Sequence, residues 1–483
     1  CLEKSKMPNI TIQSALQECK KAFLFCSFFS FFISIFTLAS SIYSMQVLDR
    51  VLSSYSIETL IYLTIIMLVF LVFLSILTSV RSMIFLHISN RLDEKLSPIL
   101  FNSSIESQAT NKNASSQNLR DLQNIKSFIS GPNLSAIFDT PFALIYLIVI
   151  FFIHPINGFI TLAGGLLMLK MAFLNQKLTK DLIEKTNKLQ SKTLKDFEII
   201  SSNSEVINAM AMKQNVMESW QKTNSELRTG NTDLSSVVNK ISSITKSLRI
   251  AIQTITMASG AILVMYNKMS SGGIIATSIL AGKALAPFDS AINLWKSLKT
   301  AKSSYNKLNS ALEGYVIDKE KIELPEPRGE IKIEKLIYKL QNSGEILIKG
   351  ISFDINAGEV IGIIGPTGSG KTTLARLLVG VLKPSSGIIR YDGANIFDQD
   401  LEKIGKYIGY LPQDVELFHG TVKENIARMK KDEIDEKIIN SAKFCDMHEI
   451  ILSLPNGYET IIEKEGGNLS AGQRQRIAIA RAL

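Results

Sequence analysis

Cysteine and histidine are scarce in this chain, with four of each among 483 residues. Cys1, Cys19, Cys26 and Cys445 show no CxxC or Cys/His spacing. That excludes a disulfide scaffold, a structural zinc site and a dithiol redox site, and leaves structural thiols. Aromatic residues make up only 8% and are not interleaved with Lys and Arg in one stripe, so the net charge of +9 does not describe a nucleic-acid surface. Charge is absent altogether from four long runs, residues 22–48, 59–80, 140–169 and 250–267, all within the first 300 positions. A mean hydropathy of +0.18 is high for a chain that also carries 53 basic and 44 acidic residues. The average therefore hides two unlike parts, a membrane half and a globular half. Disorder and collagen-like repetition are excluded by the same composition.

A hydrocarbon core about 30 Å thick takes about 20 apolar residues of helix. The runs 22–48 and 59–80 each meet that length, and the basic connection 81–139 belongs in the cytoplasm by the positive-inside bias. The next connection, 170–249, is rich in lysine, so the stretch 140–169 crosses twice, with His154-Pro155 as an outer turn. This predicts spans near 134–153 and 156–175, both continuing into the cytoplasm. Residues 250–267 form a fifth span and 272–295 a sixth, interrupted by Lys283, Pro287 and Asp289. Two readings stand for Lys283 and Asp289, a polar conduit or a position beyond the bilayer. His154 reads as an interfacial turn residue rather than a proton relay. The chain begins at Cys1, and Lys4, Lys6, Lys20 and Lys21 favour a cytoplasmic terminus, so a clipped sequence is expected rather than a lipid-modified end. Residues 1–312 are thus read as a transmembrane domain, 313–328 as a linker and 329–483 as a nucleotide-binding domain.

Glu359-Val-Ile-Gly-Ile-Ile364 reads as a buried strand and leads into Gly365-Pro-Thr-Gly-Ser-Gly-Lys-Thr372, a complete GxxxxGK[ST] phosphate loop. In such a loop Gly365, Gly368 and Gly370 let backbone N–H groups close on phosphates. Pro366, Thr367, Ser369 and Thr373 complete the cradle, Lys371 adds a point charge, and Thr372 supplies a hydroxyl for Mg²⁺. The following helix points its positive end at the same anion.

A second motif, Leu469-Ser-Ala-Gly-Gln-Arg-Gln-Arg476, resembles the signature of the ABC ATPases, with Ala471 where the usual pattern has glycine. The resemblance implies that Ser470, Ala471, Gly472 and Gln473 face the terminal phosphate of ATP held by the other subunit. Tyr410-Leu-Pro-Gln-Asp414 is similar to the family's Q-loop, which implies that Gln413 reaches Mg²⁺ and acts with Lys371 in catalysis. Leu417 to Ile426 is similar to the helical subdomain of exporters. The family stacks an aromatic residue on adenine, and Tyr338 is the candidate.

Within the family the membrane half resembles the permease/ATPase of type I secretion systems of the alkaline-protease-exporting kind. The stretches that carry this are Met45-Gln-Val-Leu-Asp-Arg-Val-Leu-Ser-Ser54, Phe138-Asp-Thr-Pro-Phe142 with Phe152-Ile-His-Pro155, Ile275 to Trp295, and Ala209-Met-Ala-Met212 with Trp220. The implied fold is a six-helix α-helical membrane domain of the ABC exporter type plus an α/β P-loop nucleotide-binding domain. The implied protein is a multi-pass homodimer of the bacterial inner membrane, surrounded by lipid, that uses ATP and Mg²⁺ to export an unfolded protein with a C-terminal signal. Its implied partners are a membrane fusion protein and a TolC-like outer-membrane channel, with loops in 102–125 and 202–215 docking on the nucleotide domain. The family's second acidic motif and later histidine do not occur before Leu483, so a nucleotide domain truncated at its C-terminus, and poor hydrolysis by this chain, are expected. Two alternatives remain beside this reading: a lipid or drug exporter, and a nonhydrolytic nucleotide-binding scaffold.

Overall fold

The computed structural model describes residues 12–110, 115–313, 325–340, 344–463 and 468–483. The chain divides into two compact units, residues 1–316 and 317–483. Most of the linker 313–328, the positions Cys1, Lys4 and Lys6, and residues 111–114 lie outside the described residues.

The first unit is helical throughout its described residues: α1 (Ile12–Glu18), α2 (Lys20–Gln46), α3 (Leu52–Ser54), α4 (Ile57–Thr110), α5 (Ser115–Ser130), α6 (Pro132–Asp139), α7 (Ala143–Ile153), α8 (Pro155–Ser202), α9 (Ser204–Ala209), α10 (Lys213–Met265) and α11 (Ser271–Glu313). Among the described residues, five helical stretches are long and apolar enough to span a bilayer. The count becomes six when α6 and α7, bent by 42° across Thr140-Pro141-Phe142, are taken as one. Helices suit this setting because hydrocarbon offers backbone N–H and C=O groups no partner, and a helix satisfies them internally. The helices run well past the apolar stretches, α4 to Thr110 and α8 to Ser202. His154 caps α8: its Nδ1 accepts from the Ile156 N–H at 3.2 Å, and Pro155 occupies the first helical turn, where a missing N–H costs nothing.

Buried polar residues tie the bundle together. Each of Thr161, Thr179, Thr186 and Thr193 on α8 donates to the carbonyl four residues earlier, at 2.7–2.9 Å, so these hydroxyls enter the interior already satisfied. Asn157 Nδ2 donates to Thr277 Oγ1 at 3.3 Å and Gln253 Nε2 to the Ser278 carbonyl at 3.4 Å, which ties α8 and α10 to α11. Arg81 on α4 is 5% exposed, pairs with Asp139 at the α6–α7 break and donates to Ser30 Oγ on α2 at 2.7 Å. Asp289 forms a 2.8 Å ion pair with Arg249 of α10, a pairing that accounts for its charge inside α11 without a conduit; Lys283 is exposed. Pro287 lies inside α11 without ending it. Cys19 and Cys26 are buried in an apolar cluster of α1, α2, α4, α5, α6 and α11.

Between α2 and α3, Val47–Val51 forms a π-helical turn that presents Asp49 to the start of α11. Its carboxylate accepts from the Gly272 N–H and from Ser270 Oγ, both at 2.6 Å. A Cβ on Gly272 would lie 2.4 Å from the Met45 carbonyl oxygen, so only glycine permits this approach.

The second unit has a four-stranded antiparallel sheet of order β2-β1-β3-β4, formed by β1 (Ile331–Lys339), β2 (Ile346–Ile355), β3 (Ser386–Tyr391) and β4 (Ala394–Asn395). A two-stranded pair, β5 (Gly420–Thr421) and β6 (Ile461–Ile462), stands apart from it. Its helices are α12 (Lys371–Leu378), α13 (Leu401–Ile404), α14 (Val422–Ile426), α15 (Asp435–Phe444), α16 (His448–Leu452) and α17 (Ala471–Ala482). Two cores result, one under the sheet with Leu374 and Leu377 of α12, the other among α14, α15, α16 and α17. The expectation of a buried strand at 359–364 is corrected: the segment has no regular secondary structure, with Val360 95% and Ile364 98% exposed. A strand forms against a neighbour, and no described strand lies alongside this one.

Replacing Asp49 by Ala removes the acceptor of the Gly272 N–H at the start of α11, leaving Ser270 Oγ on the Gly273 N–H, and is expected to cost about 1 kcal/mol, read as a lower Tm of the solubilised protein. An unchanged Tm would show that the contact contributes nothing to stability.

Candidate nucleotide site

The loop 365–370 is shaped by local chemistry. Gly368 and Gly370 adopt φ of +86° and +92°, values that a side chain with a Cβ rarely tolerates. A Cβ on Gly365 would come within 2.9 Å of Ser369 Oγ, and the Ser369 N–H donates to the Pro366 carbonyl at 3.2 Å. Gly370 caps α12 in the left-handed conformation, and the Leu374 N–H closes the first helical turn on its carbonyl at 2.8 Å. At the far end of α12, the Tyr391 hydroxyl donates to the Leu378 carbonyl at 3.0 Å, and burial raises its pKa above the ordinary phenol value.

Lys371 Nζ donates to the carbonyls of Gly365 and Pro366 at 2.7 and 2.9 Å, which localises one positive charge over the loop. Residues 365–369 and Thr372 are exposed, while Thr373 is half-buried. Exposed backbone, glycine dihedrals, a lysine and a helix N-terminus together form an anion cradle, and these residues fit the polyphosphate of a nucleotide.

Ser470 to Gln473 open α17 with reciprocal caps: the Gln473 N–H donates to Ser470 Oγ at 3.2 Å and the Ser470 N–H to Gln473 Oε1 at 2.8 Å. Ser470, Ala471 and Gly472 are exposed, and a Cβ built on Gly472 meets nothing within 4 Å. The chain's own packing therefore does not require glycine there. Gln413 is exposed on the irregular segment before β5. The phosphate loop stands on the sheet core and the signature on the helical core, so the structure does not gather the three motifs into one pocket.

Tyr338 is 9% exposed within the sheet core, where alternation along β1 turns Leu336 and Tyr338 inward.

Sequence reading missed the groups that join the two cores. Arg428 donates through Nε to the Arg481 carbonyl at 2.9 Å, through Nη1 to those of Gly405 and Lys406 at 3.1 and 3.2 Å, and through Nη2 to that of Ala482 at 3.2 Å. Arg481 in turn donates to the Glu416 carbonyl at 3.2 Å and lies 5.5 Å from the Phe418 ring centroid. Burial, with Arg428 nearby, holds its guanidinium below the usual value. Asn425, fully buried, ties Phe418 to Thr421 through three hydrogen bonds of 2.9–3.0 Å. No local motif announces these contacts. The capping box Thr421-x-x-Glu424 of α14, by contrast, is readable from sequence.

A phosphate-loop ATPase joined to a bundle of spanning helices defines the class, and the comparisons specify it. The family profile described as the ABC transporter matches residues 348–483, and that of the ABC transporter transmembrane region matches residues 23–286. The type I secretion system ATP-binding protein PrsD of Rhizobium meliloti (strain 1021) is 34% identical over 481 residues, covering 99% of this chain and 83% of its own. The leukotoxin translocation ATP-binding protein LktB of Mannheimia haemolytica is 29% identical over 480 residues, covering 97% of this chain and 67% of its own. A solved bacterial Atm1-family ABC exporter with ATP bound superposes with a TM-score of 0.79 at 18% identity, covering 96% of this chain and 83% of that one. The chain belongs to the ABC transporter family, as a permease/ATPase of the type I secretion kind. It is a multi-pass inner-membrane protein with a cytoplasmic nucleotide-binding domain.

Gly472→Ala is expected to leave the Tm unchanged or to raise it, since alanine favours a helix over glycine by up to about 1 kcal/mol and nothing stands in its way. A lower Tm would show a constraint within the chain itself.

Proposed function

We propose that the protein exports an unfolded polypeptide with a C-terminal secretion signal across the bacterial inner membrane, driven by ATP. The observation that carries this is the 34% identity to a type I secretion system ATP-binding protein along both the membrane and the nucleotide half. In this reading the chain works as a homodimer with a membrane fusion protein and a TolC-like outer-membrane channel.

The residues divide the work as follows. Backbone N–H groups of Gly365 to Thr373 hold the phosphates of ATP, and Lys371 swings from its two carbonyl partners to the terminal phosphate. A charge-assisted bond to phosphate is stronger than the bonds to neutral carbonyls that it replaces. Thr372 and Gln413 hold Mg²⁺, which neutralises charge developing on the phosphates. Ser470 to Gln473 of the second subunit close over the same ATP from α17, whose exposed N-terminus attracts anions. The open space beside Gly472 leaves room for a phosphate to approach. Arg428 and Arg481 hold the segment around Gln413 against the end of the signature helix, so displacement at one is passed to the other.

Steady-state ATPase activity of the full-length transporter in lipid vesicles tests the reading. Lys371→Ala should lower the activity by about 100-fold or more, since electrostatic stabilisation at the transferred phosphoryl group is lost. Activity of the unaltered protein should change on addition of a C-terminal fragment of one co-encoded protein. Activity that ignores every polypeptide and responds to lipids or small amphiphiles would replace export of protein with export of lipid or drug.

A further inference from the structure

A groove of about 770 Å³ runs between α8 and α11. Its charged lining is six lysines, Lys188, Lys192, Lys195, Lys299, Lys302 and Lys307, against Glu184 and Asp196 alone. Lys188, Lys192 and Lys195 follow helical spacing and form a stripe along one face of α8. Among the described residues, ion pairing within the groove is confined to Lys188 Nζ with Glu184 Oε1, at 3.0 Å. The other five lysines have no carboxylate within salt-bridge distance among the described residues. Like charges at this spacing repel, so the stripe weakens its own helix unless an anion offsets it.

Depth decides what that anion is. Helical rise is 1.5 Å per residue, so from Pro155 at the outer turn α8 reaches Lys188 after about 50 Å and Lys195 after about 60 Å. From Ser271, α11 reaches Lys307 after about 54 Å. A bilayer with its headgroups is about 40–45 Å thick, so Lys188, Lys195 and Lys307 lie in the cytoplasm beyond the lipid phosphates, with Lys302 at about 47 Å just past them and Lys299 at about 42 Å level with the headgroups. The lining includes no aromatic ring on which a nucleobase would stack, which disfavours single-stranded nucleic acid. It does include Asn187, Ser191, Ser303 and Asn306, whose amides and hydroxyls match the free N–H and C=O groups of an extended backbone. Asn187, Ser191, Ser303 and Lys307 also line a second polar cavity of about 280 Å³.

We infer that the groove between α8 and α11 binds an extended, acidic segment of polypeptide on the cytoplasmic side of the membrane unit. The inference rests on the export reading and adds to it the chemistry of the cargo segment received there. Residues 183–199 of α8 line about 24 Å of groove, which takes about seven residues of extended chain. Aspartate or glutamate at alternate positions would place its charges opposite the lysines of both helices.

The test uses the full-length transporter in nanodiscs and fluorescence anisotropy of a labelled peptide of about twelve residues alternating Asp and Gly, beside the same peptide with Asn for Asp. The acidic peptide is expected to bind at least about tenfold more tightly than its neutral counterpart, and the triple variant Lys192→Gln, Lys195→Gln, Lys302→Gln to lose about that factor while basal ATPase is retained. Binding by the unaltered transporter should also weaken steeply with salt, a readout that stands even if the variant does not fold. Equal affinity for the two peptides, indifference to salt, or an acidic peptide that binds the folded variant undiminished would overturn the inference. So would displacement by a single-stranded oligonucleotide or by phosphatidylserine vesicles of higher affinity. Lysine-dependent peptide binding in a transporter whose ATPase ignores all protein cargo would leave the groove standing and remove the export reading. ATPase that responds to cargo equally in the triple variant and the unaltered protein would do the reverse.

Discussion

The membrane half depends on one constraint, that hydrocarbon supplies no partner for a backbone amide. Helices are the answer along the described first unit, and the same demand governs its polar side chains. The buried threonines of α8 bond to their own helix, Asn157 and Gln253 reach across to α11, and Arg249 meets Asp289. Where the helices break, a polar group fills the gap: Asp49 caps α11, His154 caps α8, and Arg81 meets Asp139 beside the bend between α6 and α7. These polar residues are therefore joints of the bundle.

The nucleotide half is organised differently, with the helices that follow its two motifs standing on separate supports. Leu374 and Leu377 seat α12 under the sheet, while Ile477, Ala478 and Ala480 seat α17 among helices. Arg428 spans the two by donating to carbonyls on both sides. In a dimer that closes over ATP, such separate supports let each chain offer its phosphate loop to one nucleotide and its signature to the other. A single rigid core would fix the two motifs at one distance.

Much of this was legible in the sequence because it is local. A phosphate loop is eight contiguous residues whose geometry follows from glycine dihedrals, and the reciprocal cap at Ser470 and Gln473 follows from a three-residue spacing. Apolar run length located the spans, and parity of the basic loops placed His154 at a turn. What was not legible depends on packing at a distance. Continuation of the helix after Pro155 into the cytoplasm was expected, but the positions of ends such as Thr110 and Ser202, well beyond the apolar runs, were not. Tyr338 read as the candidate for stacking on adenine, and its burial in the sheet core follows from a strand register that sequence alone does not fix. The run 359–364 read as a buried strand on β-branched residues alone, and pairing, which propensity does not encode, decided otherwise. Arg428 has no local signature, because its partners lie in two other parts of the chain.

The central claim is that ATP turnover at the Lys371 loop moves a polypeptide through the six-helix unit. Inside-out vesicles containing the full-length transporter, supplied with ATP and a fluorescently labelled co-encoded cargo, test it most directly. The account predicts protease-protected cargo that accumulates with ATP and fails to do so in Lys371→Ala vesicles. Vesicles that hydrolyse ATP but protect no polypeptide, while moving a labelled lipid between leaflets, would contradict it.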